Sequence, residues 1–156
     1  MPENELKCCI SGSFSKFKPE IDLLIDEFRD LGIVVLSPDK GWLFKPRHLL
    51  KPVDFMFRPL PSEKGLSIRE IEDSFLRRVK QSDFLYIADF EGYVGQSAWM
   101  EIGFAFGCGV PCFAKEQIKS DEENDLMQEE RIAQIKIAQP NEIKALLADT
   151  REKWGT

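Results

Sequence analysis

The sequence predicts an α/β fold of the Rossmann-like, flavodoxin-like kind, a doubly wound, mostly parallel five-stranded sheet with helices on both faces. Three observations carry this. Short apolar, often β-branched runs alternate with segments of helical periodicity. Each run ends in turn-forming residues, and the stretch to the next run is long enough for the helical crossover that parallel strands require. The 156 residues suit one domain around one core, so residues 1–156 read as a single unit.

Leu6 to Ile10 (LKCCI) reads as a buried strand meeting a turn at Ser11-Gly12-Ser13. A helix follows, with Pro19 suited to its first turn, Ile21, Leu24, Ile25, Phe28 and Leu31 at helical spacing, and Gly32 just past its end. Ile33 to Leu36 (IVVL) is the second strand, closed by Ser37-Pro38-Asp39. Residues 40–65 show no sustained period but hold several prolines and the aromatics Trp42, Phe44, Phe55 and Phe57. They read as a long loop, of the kind that covers a ligand. A helix over Ser67 to Gln81 turns Ile68, Ile71, Phe75, Leu76 and Val79 inward. Phe84 to Ala88 (FLYIA) is the third strand, Ser97 to about Cys108 a helix, and Val110 to Ala114 (VPCFA) the fourth strand. Ala133 to Ala138 alternates as an edge strand, and Asn141 is placed to cap a last helix through Trp154.

Composition excludes several functions. No apolar run reaches the roughly 18 residues of a membrane span, and the start MPENELKCCISG does not read as a secretory signal, so a soluble cytoplasmic protein is expected. A net charge of -6 disfavours nucleic acid as a partner, since phosphates are met by clustered Lys and Arg. The charge is uneven. Lys40 to Arg58 holds five basic residues against Asp54, a stretch able to face a small anion, whereas the acidic run toward Glu130 reads as a solvated face. Cys8-Cys9, Cys108 and Cys112 sit in apolar sequence as small hydrophobes, and His48 is the lone histidine, so no metal site is read.

In such sheets ligands bind outside the carboxyl ends of the strands, where Ser11 to Ser13, Asp39 and Asp89 to Ser97 converge. If the helix begins near Ser97, Glu101 lies close to its start, where unpaired N–H groups and the dipole keep a carboxylate ionised. That carboxylate either stabilises the helix start or attacks an electron-poor carbon such as the anomeric carbon of a nucleoside. Ser97 is read either as the N-cap or as a phosphate or sugar contact. Tyr93 either stacks on a base or packs on the protein, and Asp39 either binds ribose hydroxyls or shapes a turn. The Gly-Ser turn either cradles an anion, with Lys16 or Lys18 supplying charge, or only joins strand to helix.

Three stretches together, ISGSF (Ile10 to Phe14), SPD (Ser37 to Asp39) and D-x-x-G-Y-x-G-x-S-x-x-x-E-I-G-x-A-x-x-x-G-x-P (Asp89 to Pro111), resemble the nucleoside 2-deoxyribosyltransferase-like superfamily. That superfamily includes base-exchanging transferases and hydrolases of nucleoside 5'-monophosphates. The resemblance makes Glu101 the nucleophile and Asp89 the residue that handles the departing base. It makes Ser11, Gly12, Ser13, Phe14, Asp39, Tyr93, Gly95 and Ser97 the substrate contacts, and has Gly103 and Ala105 let the helix approach the sheet. A second aspartate often precedes this helix in the family, whereas Tyr93, Val94 and Gly95 stand there here. The implied activity is N-glycosidic bond cleavage or base exchange on a nucleoside or nucleotide, without metal or organic cofactor. The resemblance also implies a homo-oligomer. The alternative is a non-catalytic nucleotide-binding or sensing module on the same fold.

Overall fold

The alternating runs fold as alternating strands and helices in the computed structural model, which describes residues 5–13, 16–38, 67–119, 132 and 135–153. The strands are β1 (Lys7–Gly12), β2 (Val34–Ser37), β3 (Phe84–Ala88), β4 (Cys112–Ala114) and β5 (Lys136–Ile137). The helices are α1 (Lys18–Asp30), α2 (Ile68–Lys80), α3 (Gln96–Gly107) and α4 (Ile143–Lys153). Every pairing is parallel and the strand order is β2-β1-β3-β4-β5. This is the flavodoxin-like order of a Rossmann-like fold, in which the winding reverses between β1 and β3 and leaves a crevice at their carboxyl ends.

The pleat divides the core into two layers. Cys8, Ile10, Phe84, Tyr86 and Phe113 face α1 (Ile21, Leu24, Ile25, Phe28) and α4 (Ile143, Leu147). Phe28 meets Tyr86 edge-on at 5.0 Å between ring centroids, a favoured aromatic geometry. On the other face Cys9, Leu85, Ile87, Cys112 and Ala114 pack against Phe75 and Val79 of α2 and Ile102 and Ala105 of α3. Of the four cysteines Cys8, Cys9 and Cys112 are buried as expected, but Cys108 is exposed at the end of α3.

Boundaries differ from the sequence reading where tertiary pairing extends or shortens an element. β1 continues through Ser11 and Gly12 because these pair with Ile87 and Ala88. Pairing fixes the direction of the Ser11 side chain, since it shares the α2/α3 face with Cys9 two residues earlier. β2 ends at Ser37 opposite Cys9, with Leu36 as an extra residue against β1. The last helix is entered through a 3-10 turn, Pro140–Glu142, whose cap is Gln139 in reciprocal contact with Glu142, and not Asn141. No helix among the described residues is long and apolar enough to cross a membrane.

Candidate functional site

The crevice between β1 and β3 requires close strands. A Cβ on Gly12 would lie 3.0 Å from the Ala88 carbonyl oxygen and 3.2 Å from Ala88 Cβ, so glycine is what lets the two strand ends approach. Beside it the fully buried Ser11 hydroxyl donates to Glu101 Oε1 at 2.5 Å, a short bond across two elements 90 residues apart.

Glu101 is the sixth residue of α3, which starts at Gln96 with Gly95 as its N-cap. It therefore lies in the second turn, in phase with the buried Ala98, Ile102 and Ala105, and points at the sheet. This corrects the expectation of a carboxylate held ionised by the helix start. Burial raises the Glu101 pKa well above the ordinary carboxylate range. The Ser11 hydrogen bond opposes that, and the charge of Glu72 and a hydrogen bond with it add to the rise. Glu72 is raised likewise, by burial first and by the charge of Asp73, with a hydrogen bond to Glu101 acting the other way.

Glu72 was not singled out in the sequence. The signal was there: in α2 it falls at the spacing of Ile68, Phe75 and Val79, an acid on an otherwise apolar stripe. The Cys9 thiol also borders this cluster, pushed up to about 11 by burial, with Ser82, Arg78, Glu101 and the Ser37 backbone acting on it. Ser37 Oγ, Glu72 Oε1 and Arg78 Nη1 are buried without a hydrogen-bond partner among the described residues.

Asp89 has a different setting. It follows β3 and is fully buried; Oδ1 accepts from the Glu116 backbone N–H at 2.9 Å, and Oδ2 has no hydrogen-bond partner among the described residues. Burial pushes its pKa up to about 7; the backbone bond from Glu116 pulls it down and the Glu116 charge pushes it up. Its neighbours are the residues after β4, whereas those of Glu101 are Ser11 and Glu72. The turn that Asp89 opens is tightly built. Glu91 has φ 60 and Gly92 φ 76, and a Cβ on Gly92 would come within 2.6 Å of Lys119 Cγ and 2.8 Å of the Gln117 carbonyl oxygen.

Across the mouth, Lys16 Nζ lies 4.4 Å from the Tyr93 ring centroid, so one face of this half-exposed ring is occupied by a cation. Lys16 N–H and Phe17 N–H both donate to the Ser13 carbonyl, which turns the chain from β1 into α1. Lys18 is paired with Asp22 at 2.7 Å, leaving Lys16 as the basic residue that faces the mouth from this turn. Tyr93 lies against Gly95, whose carbonyl accepts the Trp99 N–H. Ser97 is exposed at the second position of α3, so it is not the N-cap. Gly103 is exposed with nothing within 4 Å of an added Cβ; close approach to the sheet falls to the buried Ala105 instead. Phe14, Asp39, His48, the loop at 40–65 with its aromatics, and the acidic run at 121–130 lie outside the described residues. No cluster of three metal-ligating side chains occurs among the described residues.

No family model and no curated protein matches the chain. Among solved structures it is similar to the crystal structure of a conserved protein from Enterococcus faecalis V583, at 14% identity and a TM-score of 0.55, over 96% of this chain and 99% of that one. The likeness is one of fold.

Proposed function

We propose that the protein cleaves or exchanges the N-glycosidic bond of a nucleoside or nucleoside 5'-monophosphate, with Glu101 as nucleophile. The observation that carries this reading is the convergence of Glu101, Ser11 and Glu72 beside the β1/β3 switch point. A buried carboxyl donates electrons to an anomeric carbon only when ionised. Ser11 favours that form by its hydrogen bond, and Glu72 can hold a proton while Glu101 attacks. The Glu101 oxygen bonds C1', the bond from C1' to the base nitrogen breaks, and the base departs with the electron pair. Asp89, near 7, divides between acid and base forms at neutral pH and keeps the base-handling role that the resemblance implies. It protonates the base, then takes a proton from the water or acceptor base that displaces Glu101 from C1'. Lys16, beside Tyr93, and the turn at Ser13 that follows β1 are the groups that would meet a 5'-phosphate.

The raised pKa of Glu101 favours a second reading, in which a protonated, hydrogen-bonded pair serves a nucleotide-binding module without turnover. Chromatography of base release from ribo- and deoxyribonucleosides and their monophosphates, with and without an acceptor base, decides between them. Release by the natural protein that is lost in both Glu101→Ala and Glu101→Gln supports the enzyme. Tight binding with no release supports the module.

A further inference from the structure

The connection from β1 to α1 and the connection from β3 to α3 leave paired strands, with Gly12 opposite Ala88. Two contacts join them. The inner one is apolar: the Phe17 and Phe90 ring centroids lie 5.4 Å apart, with Phe17 buried in the core. The outer one sets Lys16 Nζ 4.4 Å from the Tyr93 ring centroid, and both residues are exposed. The backbone under the outer contact is fixed on each side. Lys16 N–H and Phe17 N–H donate to the Ser13 carbonyl, Tyr93 N–H donates to the Phe90 carbonyl, and Lys119 N–H donates to the Gly92 carbonyl. The outer contact can therefore open by side-chain rotation, while the inner one keeps the two connections together.

The same hydrogen bonds decide how this turn meets an anion. With the amides of Lys16 and Phe17 engaged by Ser13, those two donors are closed to an anion and the Lys16 ammonium is the cation within reach of one. Among the described residues no carboxylate forms a salt bridge with Lys16; its contacts there are the rings of Tyr93 and, at 5.3 Å, Phe17. A ring face and a phosphate both carry negative potential, so they compete for one ammonium. The phosphate is the stronger partner, because charge-assisted hydrogen bonds exceed a cation–π contact at an exposed site, which is worth roughly a two- to fivefold factor. We propose that Lys16 and Tyr93 form a clasp between the two connections, held by the ring and opened by a phosphate group that draws the ammonium away. Phosphate binding and release of Tyr93 are then one event. The inference rests on the reading above only for Lys16 as a group that meets a phosphate, and no bond cleavage enters it.

The test follows the Lys16 ε-methylene by NMR in protein carrying 13C-lysine, with Lys16→Arg to assign the signal. Inorganic phosphate and a nucleoside 5'-monophosphate are titrated separately at constant ionic strength. The signal should lie upfield in the natural protein, where the ring shields it, and at the unshifted position in Tyr93→Leu. Saturation with inorganic phosphate should move the natural signal to that unshifted position. A monophosphate that acts at lower concentration assigns the group to a nucleotide, and equal concentrations assign it to free phosphate. Tyr93→Leu has no clasp to open and should bind inorganic phosphate roughly two- to fivefold more tightly, whereas Tyr93→Phe keeps the ring and should match the natural protein. An unshifted signal in the natural protein, a shift that persists at saturation, or Tyr93→Leu binding phosphate no more tightly overturns the clasp. If Tyr93→Leu does not fold, the natural protein and Tyr93→Phe decide by the first two criteria. Lack of phosphate binding also overturns the clasp, and base release from unphosphorylated nucleosides then shows whether the glycosidase reading stands.

Discussion

Asp89 carries an energetic cost that can be measured without any substrate. Its carboxyl is fully buried with one oxygen bonded to the Glu116 N–H and the other without a partner among the described residues, and burial moves its pKa from 3.8 to about 7. A group that binds its proton more tightly when folded stabilises the fold fully below its unfolded pKa, and that contribution is lost as pH rises through the folded value. The difference between 3.8 and about 7 corresponds to about 4 kcal/mol at about 1.36 kcal/mol per decade. The chain has an isoelectric point near 5.0, so the practical window lies above it. Between pH 6 and 8 the Asp89 contribution should fall by about 1.4 kcal/mol. Asp89→Asn keeps the oxygen that accepts from Glu116 and removes the titration. Urea unfolding of the two proteins, at both pH values, isolates Asp89 from the Glu101 and Glu72 pair, which is common to both. The Asn variant should gain about 1.4 kcal/mol relative to the natural protein on going from pH 6 to 8. A constant difference between the two proteins would refute the reasoning, because it would mean that the buried carboxyl does not titrate in this range.

The same logic extends to the carboxyl pair and to the glycines. Glu72→Gln removes a negative charge beside Glu101, so the acid limb of the pH–rate profile, or of a pH titration of ligand affinity, should move to lower pH. Ser11→Ala removes the hydrogen bond that favours ionised Glu101; the same limb should move to higher pH, and the rate at neutral pH should fall by tenfold or more, on the order of 1.4 kcal/mol. Gly12→Ala drives a Cβ against the Ala88 backbone and should destabilise by about 1–3 kcal/mol in thermal unfolding. Gly103→Ala, on an open helix face, should instead stabilise by about 0.5–1 kcal/mol.

Most of the fold was legible because local patterns and tertiary structure agree. FLYIA is apolar at every position and forms β3, buried on both faces, while Ile21, Leu24, Ile25 and Phe28 mark the inward side of α1. Boundaries were less legible where a partner decides them. Nothing local says that Ser11 and Gly12 belong to a strand; the pairing with Ile87 and Ala88 does. Gln139 outcompetes Asn141 as a cap because a 3-10 turn precedes α4 and shifts the start of the helical hydrogen bonds.

The site shows what a sequence pattern leaves open even where it picks the right residues. Ser11 and Glu101 could each be singled out from a turn and a helix, but their 2.5 Å hydrogen bond depends on the pleat of β1 and the phase of α3 together. The helix start at Gln96 moves Glu101 into the second turn and toward the sheet, so burial, not the dipole, dominates its acidity. The sign of the effect reverses: burial works against the ionised form of Glu101 instead of the helix start favouring it. Glu72 adds to the rise, and it lies on the inward stripe of α2, where an acid costs stability unless another polar group receives it. An acid on an apolar stripe was the sequence feature that pointed to this, and its significance appears only when a second acid is placed opposite it.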